Sequence, residues 1–301
     1  MRARTLPCFR SLQLLSLLVA FHASLGLARP ASAGATVLPD TWCTNGRVEA
    51  QVVHNQTLYV GGGFDMVGPP TGGAAVLDEA TGVVQSPFPR VGGIVHVVKP
   101  DGVGGWYLGG LFESVQGVPR KNLAHIDAGG AVTPWSLEVN DLVSSIAIGN
   151  GTVFVGGMFD SIAGQPRSRV AAIDQAGAFL TTWNPTATGV ISGAGGGNWV
   201  KSIVLSGDKV YLGGSFTSVA GFPRGGFAEV DAATGIPTSW AVGSGSVNAM
   251  VLSGTNLYLG TGTSVSGNVR VFDIATRDSL SITQFTGNVS ALVEDPGTGV
   301  V

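Results

Sequence analysis

One phrase returns along this 301-residue chain with little change. It reads Tyr59-Val60-Gly61-Gly62-Gly63-Phe64, then Tyr107-Leu108-Gly109-Gly110-Leu111-Phe112, then Phe154-Val155-Gly156-Gly157-Met158-Phe159, then Tyr211-Leu212-Gly213-Gly214-Ser215-Phe216. A decayed copy follows as Tyr258-Leu259-Gly260-Thr261-Gly262-Thr263. The landmarks Phe64, Phe112, Phe159, Phe216 and Thr263 are 48, 47, 57 and 47 residues apart. A period of this length marks one supersecondary unit that cannot bury its apolar face alone and must stack on its neighbours. Such a repeat constrains architecture far more tightly than activity.

Four short segments recur in each repeat. In the third they are 143–148, 153–157, 170–174 and 179–183; in the fourth they are 200–205, 210–214, 227–231 and 236–240. Each is rich in Val, Ile, Tyr and Phe and is bounded by Gly, Asp, Asn or Pro, which predicts a strand. Helical periodicity is not sustained anywhere after residue 33. Apolar residues make up 44% of the chain, charged ones 12%, and there are 47 glycines. Strands sandwiched between neighbouring sheets carry few charges, and their many turns call for glycine. The expected fold is therefore all-β: a β-propeller of four-stranded blades, with five full blades and an incomplete sixth. The repeats span about 47–90, 93–139, 142–185, 199–243, 246–286 and 288–301.

Residues 1–33 stand apart. Arg2, Arg4 and Arg10 precede an apolar run at 12–27, followed by Ala31-Ser32-Ala33, the pattern of a secretory leader cleaved before Gly34. The expected mature domain is 34–301, exported to the surface, the periplasm or the medium, with no membrane span. Its 12 basic and 19 acidic residues give a formal charge of −7, which argues against nucleic acid as a partner. Cys43 is its one cysteine, so neither an internal disulfide nor a Cys-based metal cluster can form. Packing has to hold the fold, with Cys43 as a small buried filler.

Several motifs together resemble the bacterial delta-60 repeat. They are the aliphatic-x-Ala-aliphatic start, the Tyr-Val-Gly-Gly-x-Phe core, the Gly-x-x-Arg segment, an ending such as Asn122-Leu123-Ala124-His125-Ile126-Asp127, and Trp183-Asn184-Pro185. The resemblance runs over roughly 42–301 and implies a β-propeller in an exported or surface protein, with no established activity or cofactor. The first repeat departs from the pattern with Thr71 in place of Arg, and the fifth lacks the second Gly, the Phe and the Arg.

What repeats is read as scaffold. Phe64, Phe112, Phe159 and Phe216 are placed to fill the gaps between sheets. Asp78, Asp127, Asp174 and Asp231 precede Gly-bearing turns, which an Asp side chain caps. Arg120, Arg167 and Arg224 each offer a rigid fork of donors for carbonyls or an Asp within the repeat. No repeat supplies the clustered oxygens that calcium wants, and no metal or other cofactor is expected.

Recognition is sought where the repeats differ. The second position of each first strand carries Glu49, His96, Ser144, Lys201, Asn248 and Ser290, which a propeller would place around one mouth of its channel. Beside them lie the Gly-rich insertion at 185–198 and Trp199. Elbow, zincin and phosphate-loop motifs are missing, so no catalytic residue is named. The leading expectation is a non-enzymatic binding or scaffold module for a polymer, glycan or protein partner outside the cell. Two alternatives stand beside it: a propeller enzyme acting on a sugar or lactone at the channel mouth, and a spacer within a longer surface protein. A sixth repeat opens at 289–293 and stops at Val301, which reads as a truncated product. The segment Asp40-Thr41-Trp42 reads as an orphan outer strand.

Overall fold

The computed structural model describes residues 43–44, 47–54, 57–63, 67–68, 90–191, 197–243, 245–262, 266–292, 294–295 and 299–300. Before residue 90, and at 294–295 and 299–300, the description is of the backbone alone. Phe64, Asp78, Thr71 and the segment 40–42 lie outside the described residues, as does the leader. The chain divides into two compact parts, Met1–Thr71 and Gly72–Val301. The first part contains an antiparallel hairpin, Arg47–His54 with Thr57–Gly63, and a two-residue ladder joining Cys43–Thr44 to Val67–Gly68.

The second part is mostly β, with no helix among the described residues. Each of the second to fifth repeats forms its own small antiparallel sheet. The first strands are Val91–Pro100, Val143–Gly149, Val200–Ser206 and Val247–Ser253. The second are Trp106–Val115, Thr152–Gly157, Lys209–Gly214 and Asn256–Gly262. The third are Leu123–Ile126, Val170–Asp174, Phe227–Asp231 and Ser266–Asp273.

The sheets stack in chain order, and the core lies between them. Tyr107, Trp135 and Val139 of the second repeat share one apolar cluster with Val143, Ile146, Val155 and Phe159 of the third. Phe154 and Trp183 of the third share another with Val200, Leu212 and Phe216 of the fourth. Tyr211, Phe227 and Trp240 of the fourth meet Val247, Leu257 and Phe272 of the fifth. First strands of successive sheets lie side by side. Ser145 Oγ accepts from Ile203 N (2.8 Å) and Ser202 Oγ from Met250 N (3.1 Å), which ties each first strand to the next.

Four-stranded sheets were expected throughout, and here the structure corrects the sequence reading. In the second to fourth repeats the fourth segment shrinks to a single bridge: Ile126 to Val132, Ile173 to Phe179, and Val230 to Pro237. Among the described residues, a full fourth strand is built by the fifth repeat alone, Ser279–Thr286. The arginine of the Pro-Arg segment accounts for the difference. Arg120 Nη2 donates to Thr133 O (2.6 Å), Arg167 Nη2 to Thr181 O (2.7 Å) and Arg224 Nη2 to Thr238 O. Each Nη1 donates to the carbonyl of the preceding proline. The guanidinium thus holds the outer segment by a carbonyl that a continuing ladder would otherwise use. The fifth repeat has no such arginine and pairs its outer strand through backbone bonds instead.

Arg167 is buried at 7% exposure and lies 4.6 Å over the Phe179 ring. Arg167→Ala is expected to cost about 2–3 kcal/mol, since two charged, part-buried hydrogen bonds to the carbonyls of Pro166 and Thr181 are lost along with the packing on Phe179. Arg167→Lys should recover less than half of this, because an ammonium cannot span both carbonyls in a fixed fork. Urea unfolding of the two variants checks it.

A second hairpin follows each buried phenylalanine. Its turns are Gln116-Gly117, Ala163-Gly164 and Ala220-Gly221, with both residues at positive φ in each case, the signature of a type I′ turn. The segment joining one repeat to the next pairs with this hairpin, Ala187–Thr188 against Ser218–Val219 and Val139 against Ile162. Connections between repeats are therefore themselves part of a ladder.

Candidate binding surface

The position at which the repeats differ has a common backbone geometry. In the ladder between first and second strands, Val95 pairs with Gly110 and Val97 with Gly109, so His96 is passed over. In the same way Ser144 is skipped between Val143 and Ser145, Lys201 between Val200 and Ser202, and Asn248 between Val247 and Ala249. In the first part of the chain Glu49 is skipped between Val48 and Ala50. Each is the extra residue of a β-bulge, which re-aims a side chain out of the regular alternation. Ser290, the sixth candidate, lies exposed outside any described strand.

The paired glycines opposite the bulge do two different jobs. A Cβ on the first of the pair would press on the next sheet: at Gly156 it would sit 2.7 Å from Val200 Cγ1, at Gly213 2.8 Å from Val247 Cγ1, and at Gly260 2.7 Å from Val289 Cγ1. A Cβ on the second would run into a backbone carbonyl of its own first strand or the residue before it: Ile94 O at Gly110, Leu142 O at Gly157 and Trp199 O at Gly214. That carbonyl accepts the next amide, from Met158 N to Leu142 O (2.9 Å) and from Ser215 N to Trp199 O (2.8 Å). One glycine lets neighbouring sheets approach; the other lets the bulged strand close on its partner.

From the third repeat to the start of the sixth, the bulge residues join into a polar line. Trp199 Nε1 donates to Ser144 Oγ (2.9 Å), and Ser144 Oγ donates to Val200 O (2.9 Å). Lys201 Nζ lies 5.3 Å from the Trp199 ring centroid and donates to Ser246 Oγ (3.1 Å) and Asn248 Oδ1 (2.7 Å). Asn248 Nδ2 in turn donates to Asn288 Oδ1 (2.6 Å). Burial pulls the Lys201 ammonium below the ordinary lysine value. His96, exposed in the second repeat, is not joined to this line by any described hydrogen bond. The ends of the Gly-rich insertion fold beside it: Ser215 Oγ donates to Gly197 O (2.6 Å), Asn198 Nδ2 to Ala187 O (2.8 Å) and Ile191 N to Ser215 O (3.1 Å).

The other candidates lie away from this line. Phe112, Phe159 and Phe216 are buried at 2% exposure or less. Asp127 Oδ1 accepts from Gly129 N and Ala131 N, Asp174 Oδ1 from Ala178 N, and Asp231 Oδ1 from Ala233 N and Thr234 N. No group of three or more His, Cys, Asp or Glu among the described residues is placed to hold a metal ion.

Sequence reasoning did not read Ser246 or Asn288 as part of the site; each lies two residues before a candidate position, Asn248 and Ser290, and its signal is a polar residue immediately ahead of a valine. It also missed two part-buried side-chain pairs, each with one member on a third strand. His125 Nε2 lies 3.0 Å from Asp101 Oδ2, with the imidazole stacked on Tyr107 at 4.3 Å. Burial pushes the Asp101 carboxyl up, but the N–H groups of Val103 and Gly105 together with His125 hold it below its ordinary value. At the equivalent register of the fourth repeat, Glu229, 1% exposed, accepts from Arg277 Nη2 at 2.8 Å. Burial, reinforced by Glu229, pushes the Tyr211 phenol up to about 12.

No family model matches the chain, and no curated protein matches it. Among solved structures it is similar to the hydrazine synthase of Kuenenia stuttgartiensis, at 14% identity and a TM-score of 0.45, covering 71% of this chain and 55% of that one. It is also similar to the Cps50 (Swd1) β-propeller domain of Myceliophteria thermophila, at 12% identity and TM-score 0.46 over 68% of this chain and 61% of that one. The Pan2 WD40 domain of Neurospora crassa gives 13% identity and TM-score 0.47 over 86% of this chain and 77% of that one. The chain spans about half the length of the first of these. Among the described residues, no helix is long and apolar enough to cross a membrane.

Proposed function

We propose that this chain is an exported or surface-held β-propeller of delta-60-like repeats, and that its work is binding a polymer, glycan or protein partner rather than catalysis. The observation that carries the reading is the bulge row: one backbone device repeats between the first and second strands of the first five repeats, while the residue it presents changes from repeat to repeat. A stacked frame held by buried phenylalanines, arginine forks and inter-repeat ladders supports that row without being part of it. Fixed positions with varied side chains suit recognition.

The test is retention of the exported protein on a panel of immobilised cellulose, chitin, peptidoglycan and polygalacturonate, beside the triple variant His96→Ala, Lys201→Ala, Asn248→Ala. The expected result is retention of the wild type on at least one polymer, weakened at least tenfold in the variant, with its circular-dichroism melt unchanged. Undiminished retention of the variant would move recognition elsewhere, and released reducing ends would make the protein an enzyme. N-terminal sequencing of the secreted product should begin at Gly34; an intact leader would remove the export reading.

A further inference from the structure

The polar line is unusual in its charge. Lys201 is half-buried, yet among the described residues no carboxylate lies within salt-bridge distance of it; neutral oxygens of Ser246 and Asn248 take two of its three donors. Acids are not scarce in this chain, which carries 19 of them against 16 basic residues. A partly desolvated cation without a counter-ion favours an anionic ligand group, because its hydration is already reduced and its field is poorly screened.

The neighbours indicate the rest of the ligand. The partly exposed Trp199 indole offers an apolar face beside polar donors. Asn288 is exposed, and the bond from Asn248 occupies its oxygen, so its amide N–H groups remain to donate. An aromatic surface with amide and hydroxyl groups at intervals matches a chain of pyranose rings, apolar on their faces and hydroxylated at their edges. A peptide adding as a strand would need a free backbone edge. First strands here are edge strands of their sheets, but serines of the preceding first strand already take part of that edge: Ser144 Oγ donates to Val200 O, and Ser145 Oγ and Ser202 Oγ accept from Ile203 N and Met250 N.

We infer that the ligand of this face is an acidic polysaccharide, with a uronate carboxylate taken by Lys201 and an adjoining sugar ring lying against Trp199. The inference rests on the binding reading above and adds the ligand's class. It also explains the repeat-to-repeat variation: one cationic bulge flanked by Ser144 and Asn248 suits a polymer whose charged and neutral contacts fall on successive sheets.

The test is affinity electrophoresis and calorimetry of the exported protein with polygalacturonate, with its fully methyl-esterified form, and with poly-L-glutamate. The variants are Lys201→Gln, Lys201→Arg and Asn248→Ala, each first shown to melt as the wild type does. The expected result is at least tenfold tighter binding to the acid than to the ester, and loss of that tenfold in Lys201→Gln. Lys201→Arg should stay within threefold of wild type, and added salt should weaken the acid polymer selectively. Equal binding of acid and ester, both weakened by Asn248→Ala, would overturn the carboxylate while leaving the binding face standing. Poly-L-glutamate binding as tightly as polygalacturonate would overturn the sugar. No binding to either form of the polygalacturonate would overturn the inference and leave the face to the wider polymer panel.

Discussion

Alanine at Gly214 is expected to destabilise the protein by about 3 kcal/mol, while alanine one residue earlier, at Gly213, should cost only about 1 kcal/mol. Added volume is nearly the same; what the new methyl meets is not. At Gly213 it meets Val247 Cγ1 and the thioether end of Met250, side-chain atoms that can give way by a few tenths of an ångström. At Gly214 it meets the backbone carbonyl of Trp199, which is also the acceptor for Ser215 N. That methyl must either break the bond or push the first strand out of register. Because Trp199 and Lys201 sit on the displaced segment, Gly214→Ala should also weaken any ligand held by the polar line. Urea unfolding of the two single variants measures the contrast, and equal costs would show that the bulged strand does not depend on that glycine.

Phe216→Ala is expected to cost about 3–5 kcal/mol. Its ring is fully buried in the cluster that joins the third and fourth sheets, with Phe154, Trp183, Val200 and Leu212. Truncation leaves a cavity between two sheets whose backbones are already tied by Ser145 to Ile203 N, so the sheets cannot simply close on the gap. Chemical denaturation should show the loss. A cost below about 1 kcal/mol would mean that the interface relaxes and that the repeated phenylalanine is not a spacer of fixed size.

How much of this was legible beforehand depends on the range of the interaction. Local patterns placed the strands closely: 170–174 and 227–231 coincide with Val170–Asp174 and Phe227–Asp231, and 143–148 falls one residue short of Val143–Gly149. Those segments are rich in Val, Ile, Ala and Phe, and glycine or aspartate ends them. The fourth strand misled because Phe179 and Trp183 look like strand residues, while a distant guanidinium, Arg167 on Thr181 O, decides how the segment is held. The fifth repeat, most decayed in its motifs, carries the complete four-stranded sheet.

At the candidate site, the polar residues Ser144, Lys201 and Asn248 could be read in register, but not that each is a bulge. A bulge is a property of two strands together. Its trace in one strand is only a glycine pair, and glycine pairs also serve turns and close sheet contacts. Ser246 and Asn288 were missed for a related reason. They matter because the preceding repeat's bulge residue reaches them, a contact across some 40–45 residues of sequence.

The most direct test of the central claim, that recognition runs along the bulged first strands, is amide hydrogen exchange of the exported protein with and without the polymer that the panel identifies. Protection on binding should concentrate at 143–146, 199–203 and 246–250, with the outer strand Ser279–Thr286 unchanged. Protection centred on that outer strand, or on the hairpins at 114–120 and 218–224, with none at the bulges, would contradict the account.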